Sequence, residues 1–377
     1  MDAFKPVKTA VIGCGVISKT YLENCTKKFK IIDIVGCSDI IPERSAGRAL
    51  EYGIRQMTNQ EIYDDPEIEL ILNLTYHTSH FSVTKESLLS GKNVYTEKML
   101  ANTFKEAKEL TEIAAEKKLL YGCAPDTFLG AGLQTARRAI DAGWIGTPVA
   151  AEAILVRSYH FERNTADAER HFVYKPGGGI IFDVGCYYLT GLVNLLGPIK
   201  RVCGFSETRE ANERYFMNPE NPDYGKIMRI ETPNNTAGVM EFANGVFCPV
   251  LTTSEGSNFT NRYSIFGTEG TITLGDPNNF TGPVALHTKN GADMLLPISH
   301  AYTENDRGLG AADLAYALRK GRKPRAGWEC GLHTLEAAHG IDESSTTNSF
   351  HIMQTTCSRS EPLPAGFTEY PEMVLNV

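Results

Sequence analysis

Residues 11–18 read VIGCGVIS, an apolar run broken by Gly13 and Gly15 and followed by a helical stretch through Lys28. The apolar residues before the glycines predict a strand, so both glycines fall in the turn between strand and helix. Glycine there permits a tight turn and lets the backbone approach a pyrophosphate, whose charge the helix N-terminus stabilises. Ser18 stands where a third glycine is usual and is small enough for the helix to pack on the strand. The stretch predicts a dinucleotide site formed by Gly13, Cys14, Gly15, Val16 and Ile17.

Outward from this turn, apolar runs and helical patterns alternate. IIDIVGCSD (31–39), LILNLT (70–75), NVYTEK (93–98) and LLYGC (119–123) read as strands. Between them lie the helical stretches 42–53, with Pro42 at its start and Gly53 at its end, 79–91 and 104–118. Such alternation predicts an α/β fold with a parallel, doubly wound sheet over residues 1–125. Asp39 ends the second strand, where a carboxylate accepts hydrogen bonds from an adenosine ribose and repels a 2′-phosphate, favouring NAD over NADP. An aspartate turning the chain ahead of Pro42 is the other reading; the glycines upstream decide for the ribose.

From about residue 126 the pattern changes. A helix over 129–143 leads into longer alternating stretches at 148–160, 201–208, 237–253 and 262–274, with ANG and GTEG as turns. Residues 126–377 are therefore expected to form an α+β domain with a large open, mainly antiparallel sheet. Helices over 306–321 and 329–345 either cover that sheet or return to the first domain, and the polar segment 210–224 reads as a surface loop.

The 377 residues are long for one core, which agrees with two domains. A net charge of −8, with no Lys/Arg run beyond a dipeptide, argues against nucleic-acid and anionic-membrane partners. Nine scattered cysteines without a C-x-x-C indicate neither a disulfide framework nor a zinc site. With no signal-like pattern at the start and no apolar run of membrane length, a reducing cytoplasm is the expectation.

Five segments in order resemble the Gfo/Idh/MocA oxidoreductases: VIGCGVIS, GKNVYTEKMLA (91–101), GGGIIFDVGCYYLTGLVNLLG (177–197), IFGTEGTITL (265–274) and DLAYALRKGRKPRA (313–326). The resemblance implies a Rossmann domain carrying NAD, followed by a domain whose open sheet forms the substrate site and an oligomer interface. It puts the catalytic lysine at Lys98, the aspartate at Asp183 and the acid/base at Tyr187, with Tyr188 as packing. Residues four apart on a helix share a face, so Asp183 and Tyr187 can point together into a cleft. Lys98 follows the fourth strand at the edge where open α/β sheets bind ligands, and its ammonium would favour an ionised phenol. Taken without the resemblance, the residues equally allow Asp183 as a helix cap and Tyr187 as core.

The same resemblance implies cofactor contacts at Thr75, Tyr76, His77, His80, Glu97 and Lys98. As a metal pair, His77 and His80 lack a third ligand, so no metal is expected. Asp126, Thr127, Arg157 and His160 are candidates to line the substrate site; Asp126 equally suits a helix start, and strand alternation sends Tyr159 and His160 to opposite faces. His333 and His339 suggest packing roles. Met99 stands where relatives carry proline, so the 98–99 peptide is expected either trans with a compensating shift or cis.

The resulting expectation is an NAD-dependent dehydrogenase oxidising a secondary hydroxyl of a sugar, glycoside or cyclitol, assembled as a dimer or tetramer. A glycosidase or lyase that oxidises transiently and returns the hydride is the alternative. A non-catalytic NAD-sensing regulator is a third reading, opposed by the joint presence of Lys98, Asp183 and Tyr187.

Overall fold

The computed structural model describes residues 5–158, 173–208, 213–216, 219 and 223–365. The chain divides into two compact units, one of residues 1–134, 299–332 and 360–377, the other of residues 135–298 and 333–359.

The first unit is built on six strands: β1 (Val7–Ile12), β2 (Ile32–Ser38), β3 (Arg55–Gln56), β4 (Leu70–Asn73), β5 (Asn93–Thr96) and β6 (Tyr121–Cys123). They pair in the order β3-β2-β1-β4-β5-β6, all parallel. This is the Rossmann order, which reverses at β1 and opens a crevice at the carboxyl ends of β1 and β4. β4 and β5 are buried at every residue, as strands covered on both faces must be. Five of the six strands follow the sequence reading. β3 adds a sixth that escaped it, because two exposed residues paired only to Gly36 and Cys37 carry no periodicity.

The connecting helices are α1 (Val16–Lys27), α2 (Pro42–Tyr52), α3 (Asn59–Asp64), α4 (His77–Leu89) and α5 (Phe104–Glu116). α2 begins on Pro42 and ends at left-handed Gly53, as its punctuation predicts. α3 and α5 each carry a capping box, Thr58 with Glu61 and Thr103 with Glu106. α4 starts at His77, two residues earlier than expected, which places both His77 and His80 on the helix.

The second unit follows α6 (Ala131–Asp141) with a nine-stranded sheet. Its strands are β7 (Pro148–Val156), β8 (Ile199–Glu207), β11 (Asn235–Phe242), β12 (Phe247–Thr253), β13 (Thr260–Gly267), β14 (Gly270–Leu274), β15 (Val284–Thr288), β16 (Asp293–Leu295) and β17 (His351–Ile352). Spatially they run β16-β15-β14-β13-β7-β12-β11-β8-β17. Every pair is antiparallel except β7 with β12. A separate hairpin pairs β9 (Glu213–Tyr215) with β10 (Ile227–Arg229), so part of the expected surface loop is strand. Burial alternates along β12: Cys248, Val250 and Thr252 face inward, and Phe247 and Pro249 outward. On the covered face a π turn (Ile181–Gly185) runs into α7 (Cys186–Leu196).

Two more helices complete the chain, α8 (Leu309–Lys320) and α9 (Trp328–Thr347). The two late helices divide between the options read from the sequence: α9 from residue 333 onward belongs to the second unit, and residues 299–332, with α8, pack in the first. Buried Asp126 is the reason, because its Oδ2 accepts the Gly308 and Gly310 N–H groups at 3.0 Å each and so holds the start of α8. Arg319 on α8 then grips Glu69 through two nitrogens, both at 2.7 Å. The 125/126 boundary read from the sequence thus cuts through a compact unit. In the second unit, Glu336 accepts the N–H groups of Gln354 and Thr355, which binds the segment after β17 to α9.

Burial pushes the Asp126 carboxyl up from the ordinary aspartate range to about 6. A raised folded pKa means the native state binds the extra proton between about pH 4 and pH 6, so this group's contribution to stability falls as pH rises through that window. The cost is on the order of 3 kcal/mol above it. Asp126→Asn keeps an oxygen acceptor and is expected to flatten the pH dependence of Tm over that range without loss at pH 7. Asp126→Ala leaves two buried N–H groups unmatched and is expected to destabilise by about 2 kcal/mol or more. Thermal melts of both variants from pH 4 to pH 8 provide the check.

Candidate active site

The turn that follows β1 is shaped by two glycines with different duties. Gly13 has φ +102°, and a Cβ on it would lie 2.6 Å from the Leu74 carbonyl carbon and 2.7 Å from the Thr75 nitrogen. Only glycine fits, because the backbone after β1 lies directly against the backbone after β4. A Cβ on Gly15 would meet nothing within 4 Å, so its smoothness leaves open space rather than serving a protein contact. Gly15 is also the N-cap of α1, and no side chain caps that end. Ser18, fully buried, donates its hydroxyl to the Gly15 carbonyl at 2.6 Å and accepts from Arg48 Nε, so it packs as the missing third glycine would.

Asp39 takes the turn role read from the sequence and also ties the end of β2 to the glycine turn. Its Oδ1 accepts the Ile41 N–H at 2.8 Å, the turn ahead of Pro42, and its Oδ2 accepts the Cys14 N–H at 2.6 Å. An ionised carboxylate has about four acceptor sites, so capacity remains for a ribose. The open space at Gly15, the uncapped helix start and the carboxylate at the end of β2 together fit a dinucleotide with an unmodified 2′-hydroxyl.

Past β4 and β5, the residues expected along the cofactor are tied to one another. Asn73 accepts the Thr75 hydroxyl at 2.7 Å and donates to the His80 carbonyl at 3.1 Å. The buried His80 ring sits between two carbonyl oxygens, Met99 at 2.8 Å from Nδ1 and Thr75 at 3.0 Å from Nε2. Burial holds its pKa below the ordinary histidine value, with the two carbonyls and Glu97 pulling the other way. His77 Nδ1 lies 2.7 Å from Asn102 Oδ1. Both histidines therefore bridge the loop after β4 to the segment after β5, and no metal-like cluster of His, Cys, Asp and Glu occurs among the described residues. Glu97 accepts the Tyr21 hydroxyl at 2.7 Å and the Lys98 N–H at 3.2 Å. Lys98 is half-buried, and the Lys98–Met99 peptide is cis, the second of the two expectations. Tyr76 is exposed at the N-cap of α4.

In the second unit, Gly177 and Gly179 take positive φ values of 88° and 104°. The Asp183 N–H donates to the Gly179 carbonyl at 2.8 Å. Asp183 is half-buried within the π turn, and Tyr187 follows in the first turn of α7, 7% exposed. A π turn closes on the fifth residue instead of the fourth, and such turns cluster at functional sites. Tyr188 is core, as expected, its hydroxyl donating to Asn261 Oδ1 at 2.9 Å. Arg157 is buried just beyond β7. His160 lies outside the described residues, as does Tyr159.

Asp126 stands at the start of the short 3-10 turn Thr127–Leu129, in line with its helix-start reading, while its side chain holds the start of α8; Thr127 is buried in that turn. His333 takes a packing role as read: its Nε2 accepts the Ile199 N–H at 2.8 Å, and burial lowers its pKa to about 4. Sequence reasoning missed Tyr21, Asn73, Asn102 and Asn261, whose partners are far along the chain or have ordinary identities.

Residues 7–124 match the family model described as "Oxidoreductase family, NAD-binding Rossmann fold", and residues 133–273 match the GFO/IDH/MocA C-terminal domain. The chain belongs to the Gfo/Idh/MocA oxidoreductase family. Its first unit is accordingly an NAD-binding Rossmann domain. D-xylose dehydrogenase of Paenarthrobacter nicotinovorans is 27% identical over 185 residues, 46% of each chain. scyllo-Inositol 2-dehydrogenase (NAD(+)) of Bacillus subtilis is 25% identical over 276 residues, 71% of this chain and 74% of that one. The chain spans about half the length of the first curated relatives it matches. Levoglucosan dehydrogenase in complex with NADH shares the fold at TM-score 0.81 and 18% identity, covering 93% of this chain and 100% of that one.

The two glycines of this Gfo/Idh/MocA chain separate folding from cofactor binding. Gly13→Ala forces a side chain into backbone at positive φ and is expected to cost about 1–3 kcal/mol of stability. Gly15→Ala is expected to leave Tm nearly unchanged while weakening NADH binding at least about tenfold, about 1.4 kcal/mol. Differential scanning fluorimetry and NADH fluorescence titration on the two variants measure these separately.

Proposed function

We propose that the protein is an NAD-dependent dehydrogenase that oxidises a secondary hydroxyl of a sugar, glycoside or cyclitol. The observation that carries this reading is Asp183 and Tyr187 together on a π-to-α turn, in a chain whose other unit is an NAD-binding domain. The printed activities of its relatives, on xylose, scyllo-inositol and levoglucosan, support a polyol substrate.

In this reading NAD, when bound, supplies the hydride acceptor. Tyr187 takes the proton of the substrate hydroxyl as the carbon beneath it is oxidised. A phenol is a weak base near neutral pH, and the Lys98 ammonium lowers the cost of its ionisation. Asp183 orients the hydroxyl or the lysine. Thr75, Tyr76, His77, His80 and Glu97 flank the nicotinamide half, and Arg157 contributes to substrate binding. The nine free cysteines support a reducing compartment, the cytoplasm.

The outer face of the large sheet supports a homo-oligomer. Phe205, Ala237, Leu251 and Ile154 stand opposite one another in register across β8, β11, β12 and β7. Phe205 is 76% exposed, so this row presents apolar surface to a second copy. Leu251→Lys is expected to reduce the mass measured by light scattering from that of a dimer or tetramer to that of a monomer, with the circular dichroism unchanged.

Reduced-nicotinamide absorbance, followed with NAD and a panel of cyclitols, free sugars and glycosides while product is assayed in the same tubes, tests the activity. Absorbance rising in step with substrate consumed is expected. Conversion without net absorbance would mean hydride return and a glycosidase or lyase instead. Tyr187→Phe is expected to lower kcat by about 10²–10⁴. Lys98→Met is expected to move the acid-side limb of the pH–rate profile to higher pH, because the phenol that must ionise loses the charge that favours its ionised form.

A further inference from the structure

All eleven residues of α7 are buried, Tyr187 among them. A helix buried on every side has no solvent-facing stripe to set its rotation about its own axis. Yet successive residues of a helix point about 100° apart, so a modest rotation would carry Tyr187 away from whatever it faces. Something other than hydrophobic burial must fix that angle.

Arg137, Arg359 and Asn244 hold carbonyls at the C-terminal end of α7, and at the Tyr187 end the contacts converge on Tyr188. Its hydroxyl donates to Asn261 Oδ1 at 2.9 Å, and its ring meets the Tyr263 ring edge-on, centroids 5.4 Å apart and planes at 81°. The Tyr263 hydroxyl in turn donates to the Tyr188 main-chain carbonyl at 3.2 Å. A helical carbonyl has a second lone pair, so this bond is made without breaking the helix. Asn261 and Tyr263 both belong to β13, and one strand thus holds one residue of α7 at side chain and backbone. Behind it, a Cβ on Gly185 would lie 3.1 Å from Ile181 Cγ1 and 3.2 Å from Thr252 Cγ2, so the glycine lets the π turn rest closely on β12. Burial raises the pKa of both phenols, which remain donors across the working range.

We infer that Tyr188, Tyr263 and Asn261 are positioning residues that set the rotation of α7 and so aim Tyr187 and Asp183, one residue and five residues before Tyr188. With Tyr188 turned onto β13, Tyr187 must point about 100° away from it. This rests on the proposed role of Tyr187, and the test separates the two ideas.

Tyr263→Phe removes only the bond to the Tyr188 carbonyl, and Tyr188→Phe only the bond to Asn261; both keep the rings. With the polyol that the wild type oxidises, each variant is expected to lose at least tenfold in kcat, with the NADH dissociation constant within twofold and KM for NAD unchanged. The acid-side limb of the pH–rate profile, set by the ionisation of Tyr187, is expected to shift, which mere loss of stability would not cause. Unchanged kcat and pH profile in both folded variants would overturn the inference. Should either fail to fold, Asn261→Ala, at a half-exposed position, tests the same contact. If the wild type oxidises no polyol, the dehydrogenase reading fails by itself. Crystal structures of wild type and Tyr263→Phe then decide: a rotated α7 supports the inference and an unmoved one overturns it.

Discussion

The backbone of Gly13 lies against the backbone of Leu74 and Thr75 with no room for a single added carbon. That contact brings the carboxyl ends of β1 and β4 together, where Leu74 N–H also donates to the Ile12 carbonyl at 2.8 Å. α1 begins directly after this contact, with Gly15 as its N-cap and no side chain capping that end. One turn further along, Tyr21 reaches Glu97 at the end of β5. A dinucleotide site of this kind depends less on the residues that touch the ligand than on how closely two main chains approach.

The same crevice shows why buried polar groups are retained. Asn73, His77, His80 and Glu97 are each largely buried, and each is spent on joining one loop to another. His80 faces two carbonyl oxygens, so a neutral ring donates to one and turns a lone pair to the other. Removing any of these groups would strand a partner in low dielectric, a larger cost than the bond itself returns. The loops that carry Thr75 and Lys98 are thereby coupled through side chains.

In the second unit the equivalent problem is rotational. α7 gains its place from complete burial, but burial alone is indifferent to which tyrosine points where. Two adjacent tyrosines consequently have different surroundings: Tyr188 is locked to β13 by hydroxyl, ring and carbonyl, and Tyr187 points about 100° away from it around the helix. The preceding π turn, with Gly185 laid on β12, places Asp183 on the approach to the same helix.

Much of this was legible in the sequence, because it is local. Alternating apolar runs, Pro42 and Gly53 around α2, and Asp39 turning the chain at Ile41 each act within a few residues of themselves. The four-residue spacing of Asp183 and Tyr187 is equally local. Tertiary structure alone decided the rest. A two-residue strand, β3, exists only because β2 offers it an edge. Asp126 became an anchor for α8 because Gly308 arrives from 182 residues away, and Glu97 found Tyr21 across 76. The histidines became loop bridges, since a ring's partners are set by which backbones converge on it. Sequence specifies what each segment is and which face it buries, through propensity and periodicity; which distant groups meet depends on the packing of whole elements, which no local pattern encodes.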